Sequence, residues 1–262
     1  MKIVLLQTDI QWAHPQVNIQ RAEMLMKQKP AADLYVLPEM WATGFAVEPE
    51  GIAEEEHSSS ALTWMRQTAK VHQCAISGSL AVRVEDGSYR NRHYFITPKS
   101  EVFYDKHHLF THGHEHEAYQ SGQEHVIAEY GNMRFLLLTC YDLRFPVWAR
   151  YGWAGQYDAI IYAANWPAKR QTAWEVLVRA RAIENQCYVV AVNRVGDDPV
   201  SHYEGGSMVV DPVGTLLART QKETEQPLLA ELSLDTLHKR RDHFRALDDR
   251  DVCVNRNVYP MV

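Results

Sequence analysis

Three side chains of this 262-residue sequence combine the types that nucleophilic chemistry needs, a thiol, a carboxylate and an ammonium, each closing an apolar run. Cys140 follows Phe135-Leu136-Leu137-Leu138-Thr139 and precedes Tyr141-Asp142-Leu143-Arg144-Phe145-Pro146. A strand that gives way to a turn and a helix exposes its last side chain at the carboxyl edge of a sheet and aims free backbone N–H groups at whatever lies there. A thiolate at such a point is a nucleophile; the competing reading is a small buried hydrophobe, since free cysteine is among the most buried residue types. Glu39 follows Leu34-Tyr35-Val36-Leu37-Pro38. A carboxylate directly after core-like residues is costly unless it is partnered or tuned for proton transfer, the alternative being a cap on the next segment. Lys106 follows Val102-Phe103-Tyr104-Asp105 and leads into His107-His108-Leu109-Phe110. A single lysine in that position is commonly just solvated, but three reactive groups at strand ends form a pattern.

The elements that must hold these groups are legible as short apolar runs at Ile3 to Leu6, Leu34 to Leu37, Cys74 to Val82, Tyr94 to Thr97, Phe135 to Cys140, Ala159 to Ala163, Tyr188 to Val192, Met208 to Val210 and Leu228 to Leu232. They read as strands, several buried on both faces. Helical spacing falls between some of them: Ile19, Ala22 and Met26 within Val17 to Lys29, then Leu62, Met65 and Ala69 within Ala61 to His72. A third pattern sets Val176, Ala180 and Ile183 within Thr172 to Gln186. The class is α/β. Turn-length connections at Glu85-Asp86-Gly87-Ser88 and Pro98-Lys99-Ser100 make some neighbouring strands antiparallel, so mixed sheets are expected; one wide sheet and two packed sheets fit equally well.

Composition narrows the function classes. The apolar share of 46% is ample for a core and far from the signature of disorder. With 27 Lys plus Arg against 33 Asp plus Glu and no long basic run, nucleic acid is not expected as a partner. No stretch reaches the roughly 20 apolar residues of a membrane span, and the start of the chain lacks a signal peptide's apolar region and cleavage site, so a cytosolic location is expected. Cys74, Cys140, Cys187 and Cys253 lie far apart, suggesting neither a disulfide framework nor a zinc site.

Leu-Pro-Glu39, Tyr-Asp-Lys106-His-His-Leu-Phe and Cys140-Tyr-Asp-Leu-Arg-Phe-Pro together resemble the Glu-Lys-Cys triad of the nitrilase superfamily, the carbon–nitrogen hydrolases. Ala164-Asn165-Trp166-Pro167, Arg179-Ala180-Arg181-Ala182-Ile183-Glu184-Asn185 and Asn193-Arg194-Val195-Gly196 extend the likeness, which runs from Ile3 to about Leu234. Within the superfamily the chain is most similar to the omega-amidase branch, whose members hydrolyse the distal amide of short dicarboxylic monoamides such as 2-oxoglutaramate and succinamate. The resemblance implies a four-layer α-β-β-α sandwich, a homodimer with an αββα-αββα core, and a single hydrolase domain (core about 1–234, C-terminal extension 235–262). It implies as partners a small amide substrate and water, and no cofactor or metal.

On that reading Glu39 is the general base toward Cys140, and Lys106 holds the oxyanion of the tetrahedral intermediate with the backbone N–H of Tyr141. The family's second glutamate precedes a small-residue-Gly turn, here Ser121-Gly122; Glu115 fits that spacing better than Glu117, and a solvated loop acid is the alternative. Arg144 is a candidate for the far carboxylate of the substrate, with a salt bridge to Asp142 or Glu184 as its competitor. Phe45 and Trp166 are candidate pocket walls or core aromatics. Three other readings are weighed: a metallohydrolase built on His112, His114 and His116, a related hydrolase acting on another amide, a nitrile or a carbamoyl group, and a non-catalytic metabolite-binding protein. Beyond Leu234 the charge run His238-Lys239-Arg240-Arg241-Asp242 reads as a solvated helix face or a segment reaching over a partner subunit.

Overall fold

A computed structural model describes residues 1–29 and 31–251. The first half of the chain runs β1 (Lys2–Gln7), α1 (Pro15–Lys27), β2 (Leu34–Val36), β3 (Glu54–Glu55), α2 (Ser60–His72), β4 (Ala75–Arg83), β5 (Tyr89–Ile96), β6 (Glu101–Asp105) and α3 (Glu115–Ala118). The second runs β7 (Ile127–Tyr130), β8 (Met133–Thr139), β9 (Ala159–Ala164), α4 (Gln171–Asn185), β10 (Tyr188–Asn193), β11 (Val195–Asp197), β12 (His202–Glu204), β13 (Met208–Val210), β14 (Leu216–Arg219), β15 (Gln226–Glu231) and α5 (Leu234–His243).

These strands form two mixed sheets, ordered β15-β1-β2-β4-β5-β6 with β3 beside β4, and β14-β13-β10-β9-β8-β7. Strands β1, β2 and β4 are parallel, as are β8, β9 and β10, while the hairpins β4-β5 and β5-β6 are antiparallel. Side chains of a strand alternate between faces. Thus Ile3 and Leu5 join Phe135, Leu137 and Ile161 in a core between the sheets, whereas Val4 and Leu6 join Ile19, Ala22, Leu62 and Met65 under α1 and α2. Helix α4 covers the second sheet with Trp174, Val178 and Ala182. The result is the α-β-β-α sandwich. The sheets also touch through Phe95 on Phe135, ring centroids 5.6 Å apart, and through His93, whose Nδ1 lies 3.1 Å from the Leu138 carbonyl.

Four details depart from the sequence expectation. On α4, Val176 and Ile183 face outward and Ala180 is only partly covered; the inward face also carries Arg181 and Asn185, polar residues that hide the true stripe. Strand β5 begins at Tyr89 rather than Tyr94, because its first half is polar. Strand β2 ends at Val36, so Glu39 stands three residues past it on irregular chain. The segment after Cys140 is a five-residue 3-10 turn, Cys140–Arg144, so Arg144 closes the turn instead of opening a helix.

Helix α5, within the charge run, packs on its own chain: Leu237 is buried, and Arg241 donates to the Gln186 and Tyr157 carbonyls. Cys74 and Cys187 are free and buried, with burial pushing the Cys74 thiol up to about 11 and the Cys187 thiol up as well; Cys253 lies outside the described residues. Among the described residues no helix is long and apolar enough to cross a membrane.

Candidate active site

The chain passes from extended Thr139 to Cys140 at φ +41°, a left-handed turn that a residue with a side chain adopts only under local constraint. Asp142 supplies that constraint. Its carboxylate accepts from the Thr139 N–H (2.9 Å) and the Tyr104 hydroxyl (2.8 Å) on Oδ2. On Oδ1 it meets the His108 N–H and Nδ1, both at 2.9 Å. Burial opposes ionisation of Asp142, but the His108 and Thr139 donors outweigh it and hold the carboxyl below its usual range. Since Tyr104 and His108 flank Lys106, this buried acid ties the Lys106 segment to the Cys140 turn.

Lys106, fully buried, donates through Nζ to Glu39 Oε1 and Glu115 Oε2, both at 2.8 Å. Burial pulls its pKa down, but the Glu115 and Glu39 carboxylates and the Cys140 sulfur outweigh that effect and hold it above the usual lysine value. Glu115 is pushed up by burial, with Lys106 opposing and Glu39 reinforcing. Gly122 lets the loops close here: its N–H donates to the Lys106 carbonyl at 3.0 Å, and a Cβ on it would sit 2.2 Å from the Asp105 carbonyl oxygen.

Glu39 accepts from Asn91 Nδ2 (2.8 Å), Lys106 and the Asn165 N–H (3.0 Å). Asn91 also donates to Glu115 Oε1 at 2.8 Å, while its Oδ1 accepts from Ser79 Oγ at 2.8 Å, which fixes the orientation of the amide. Cys140 Sγ–H points to the Asn165 carbonyl at 3.7 Å. Burial pushes the pKa of this thiol well above its ordinary range and the adjacent Glu39 carboxylate pushes it further, against the opposing pull of Lys106.

A cavity of about 360 Å³ opens onto Cys140, lined also by Phe45, Phe110, Tyr141, Arg144 and Trp166. The structure therefore brings together Glu39, Lys106, Cys140 and Glu115, and sets Tyr141, Arg144, Phe45 and Trp166 on one cavity wall system. Glu117 is exposed and pairs with His114 instead. Arg144 pairs with neither Asp142 nor Glu184: Glu184 is engaged by Arg150 and Arg181, and the Arg144 guanidinium stands 4.9 Å over the Trp166 ring. Among the described residues no group of three or more His, Cys, Asp or Glu side chains is arranged to hold a metal ion. His107 stacks on Trp148 and His108 on Phe145.

Sequence reasoning assigned no role to Asn91 or Asn165 and saw Asp142 only as a possible partner of Arg144. Asn91 had one signal: with Asn91, His93 and Phe95 on one face of β5 and Arg92, Tyr94 and Ile96 on the other, the strand alternates, and two of the three side chains facing the second sheet, Asn91 and His93, are polar. A buried thiol beside a carboxylate, with an ammonium held between two acids, can pass its proton to the carboxylate during attack on a carbonyl and set the ammonium against the oxyanion that develops.

The carbon–nitrogen hydrolase family model matches residues 2–242. The chain is 42% identical over 255 residues to the omega-amidase YafV of Escherichia coli K12, covering 96% of this chain and 97% of that one. It is 36% identical over 251 residues to the 2-oxoglutaramate amidase of Bacillus subtilis, covering 94% and 96%. Among solved structures, XC1258 of Xanthomonas campestris, a CN-hydrolase superfamily protein with an arsenic adduct in its active site, superposes with a TM-score of 0.92 at 36% identity, covering 97% of this chain and 98% of that one.

Proposed function

The chain belongs to the carbon–nitrogen hydrolase family, and from that premise we propose that it is an omega-amidase: it hydrolyses the distal amide of short dicarboxylic monoamides, 2-oxoglutaramate and succinamate among them, through a thioester on Cys140. One observation carries the substrate class. The cavity at Cys140 also holds the Arg144 guanidinium, which no carboxylate of the described residues neutralises. An unpaired guanidinium in a largely apolar cavity favours a ligand that brings its own carboxylate, and its planar fork suits two-point binding.

In this reading Glu39 takes the Cys140 proton as sulfur attacks the amide carbon, delivers it to the departing ammonia, and then activates water against the thioester. Lys106 stays protonated and with the Tyr141 N–H holds the oxyanion. Glu115 fixes Lys106 by its 2.8 Å contact, and its own position is fixed by the Phe110 N–H at 2.7 Å. Phe45 and Trp166 exclude water from the acyl chain. We further propose that the chain acts as one hydrolase domain, with the region from 235 onward as its extension, and that it pairs with a second copy through the outer face of α4. Val176 and Ile183 lie exposed there, one heptad apart, next to the exposed Val213.

Ammonia release from 2-oxoglutaramate, succinamate, glutamine, a neutral aliphatic amide and a simple aliphatic nitrile tests the substrate class. The two carboxylated amides without an α-ammonium are expected to give the highest kcat/KM. A preference for the nitrile, or equal rates on neutral and carboxylated amides, would overturn the assignment.

A further inference from the structure

The cavity holds a second cation that the chemistry at Cys140 does not use. Arg170 ends the short turn Ala168–Arg170 ahead of α4, is partly buried, and stands 5.1 Å over the Phe110 ring. Its backbone is fixed on both sides: its N–H donates to the Pro167 carbonyl at 2.9 Å, and its own carbonyl accepts from Trp166 Nε1 at 2.9 Å. That indole is the one beneath Arg144. Trp166 thus carries the Arg144 guanidinium on its ring and anchors the Arg170 backbone, and both arginines line the cavity with Cys140. Among the described residues neither forms a salt bridge. The one carboxylate on the lining, Asp198, accepts from the Val200 and Ser201 N–H groups and the Tyr203 hydroxyl of its own segment.

Arg144 and Arg170, neither of them paired with a carboxylate among the described residues, put two positive charges on the lining of one largely apolar cavity. The arrangement is stable when a ligand places negative or strongly dipolar oxygen atoms between them, and it penalises a ligand that brings a third cation. We infer that Arg170 is a second specificity determinant. It would act with Arg144 on the carboxylate end of the substrate, favouring a 2-oxo acid monoamide and rejecting the corresponding 2-amino acid amide, whose ammonium would enter the field of both arginines. The inference rests on the omega-amidase reading and adds the discrimination between oxo and amino substituents at the carbon beside the carboxylate.

2-Oxoglutaramate and glutamine differ only in that substituent, so the ratio of their kcat/KM values reads the effect of Arg170 directly. Arg170→Gln is expected to lower this ratio by at least about 10-fold, through a higher KM for 2-oxoglutaramate with a smaller loss, or a gain, on glutamine. Arg170→Lys, which keeps the charge and loses the fork, is expected to restore part of it. Equal losses on both substrates in Arg170→Gln would make Arg170 a support for Phe110 and the start of α4, and an unchanged ratio would remove it from recognition; either result overturns the inference. Thermal unfolding of both variants separates a folding defect from a change in recognition. If the wild-type protein hydrolyses neither compound, the omega-amidase reading itself fails, an outcome distinct from a wild-type enzyme whose ratio ignores Arg170.

Discussion

Glu39 and Glu115 set two carboxylates against the single ammonium of Lys106, all three side chains fully buried. Ionising Cys140 as well would add another buried negative charge with no new cation, which is why burial and Glu39 both push the pKa of this thiol up. Moving the proton from sulfur to Glu39 during attack leaves the net charge of the site unchanged, and the negative charge then grows on the substrate oxygen, where Lys106 can meet it. In the proposed mechanism, transfer of the proton to Glu39 therefore accompanies the attack of sulfur. The two glutamates near Lys106 in sequence should then separate sharply. Glu115→Gln is expected to lower kcat by about 100-fold or more, because the lysine loses one of its two charged anchors. Glu117→Gln, on an exposed side chain paired only with His114, is expected to stay within about two-fold of wild type. Steady-state ammonia assays on the two variants decide this, and a large loss in Glu117→Gln with little in Glu115→Gln would reverse the assignment.

Strand β5 shows why some elements carry chemistry that patterning misses. Its second half, Tyr94 to Ile96, is apolar and plain in the sequence, while the polar stretch Arg90 to His93 lies outside the strand read there. Yet Asn91 joins Glu39 to Glu115, and His93 bridges Ser77 Oγ at 2.8 Å and the Leu138 carbonyl at the interface of the two sheets. A carbonyl only accepts, so Nδ1 carries the proton and Nε2 accepts from Ser77. Burial depresses the His93 pKa from 6.5 to about 4. Below pH 6.5 the unfolded chain therefore binds a proton that the folded chain refuses. Stability falls as pH drops from 6.5 to about 4, by roughly 3 kcal/mol in all, and is unaffected by this residue above that window. Urea unfolding across that range is expected to show a shallower pH dependence in His93→Gln than in wild type; identical slopes would remove His93 as the source. The same limit explains α4. Its apolar spacing at Val176 and Ile183 is visible in the sequence, but buried Arg181 and Asn185 turn the inward face to Trp174, Val178 and Ala182. The reactive positions, in contrast, were legible, because Cys140 and Glu39 each follow a buried apolar run and Lys106 follows the short aromatic run Phe103-Tyr104, although Phe103 itself is exposed.

At the scale of the whole molecule, the sandwich brings together residues far apart in the chain: Glu39 from the first sheet, Cys140 and Asn165 from the second, and Lys106 with Glu115 from the connection between them. Choosing two packed sheets over one wide sheet was beyond strand patterning, since an inter-sheet core and a double-covered single sheet give the same apolar runs. The outward face of α4 belongs to this scale too. Ile183→Asp, placing a charge at the centre of the proposed contact between copies, is expected to shift the light-scattering mass from dimer to monomer, and an unchanged mass would move the interface elsewhere. The account depends most of all on Cys140 as the covalent nucleophile. The most direct test is kcat for 2-oxoglutaramate in Cys140→Ala, with circular dichroism confirming the fold. A loss of at least about 10⁴-fold is predicted, and turnover within about ten-fold of wild type in a correctly folded variant would contradict it.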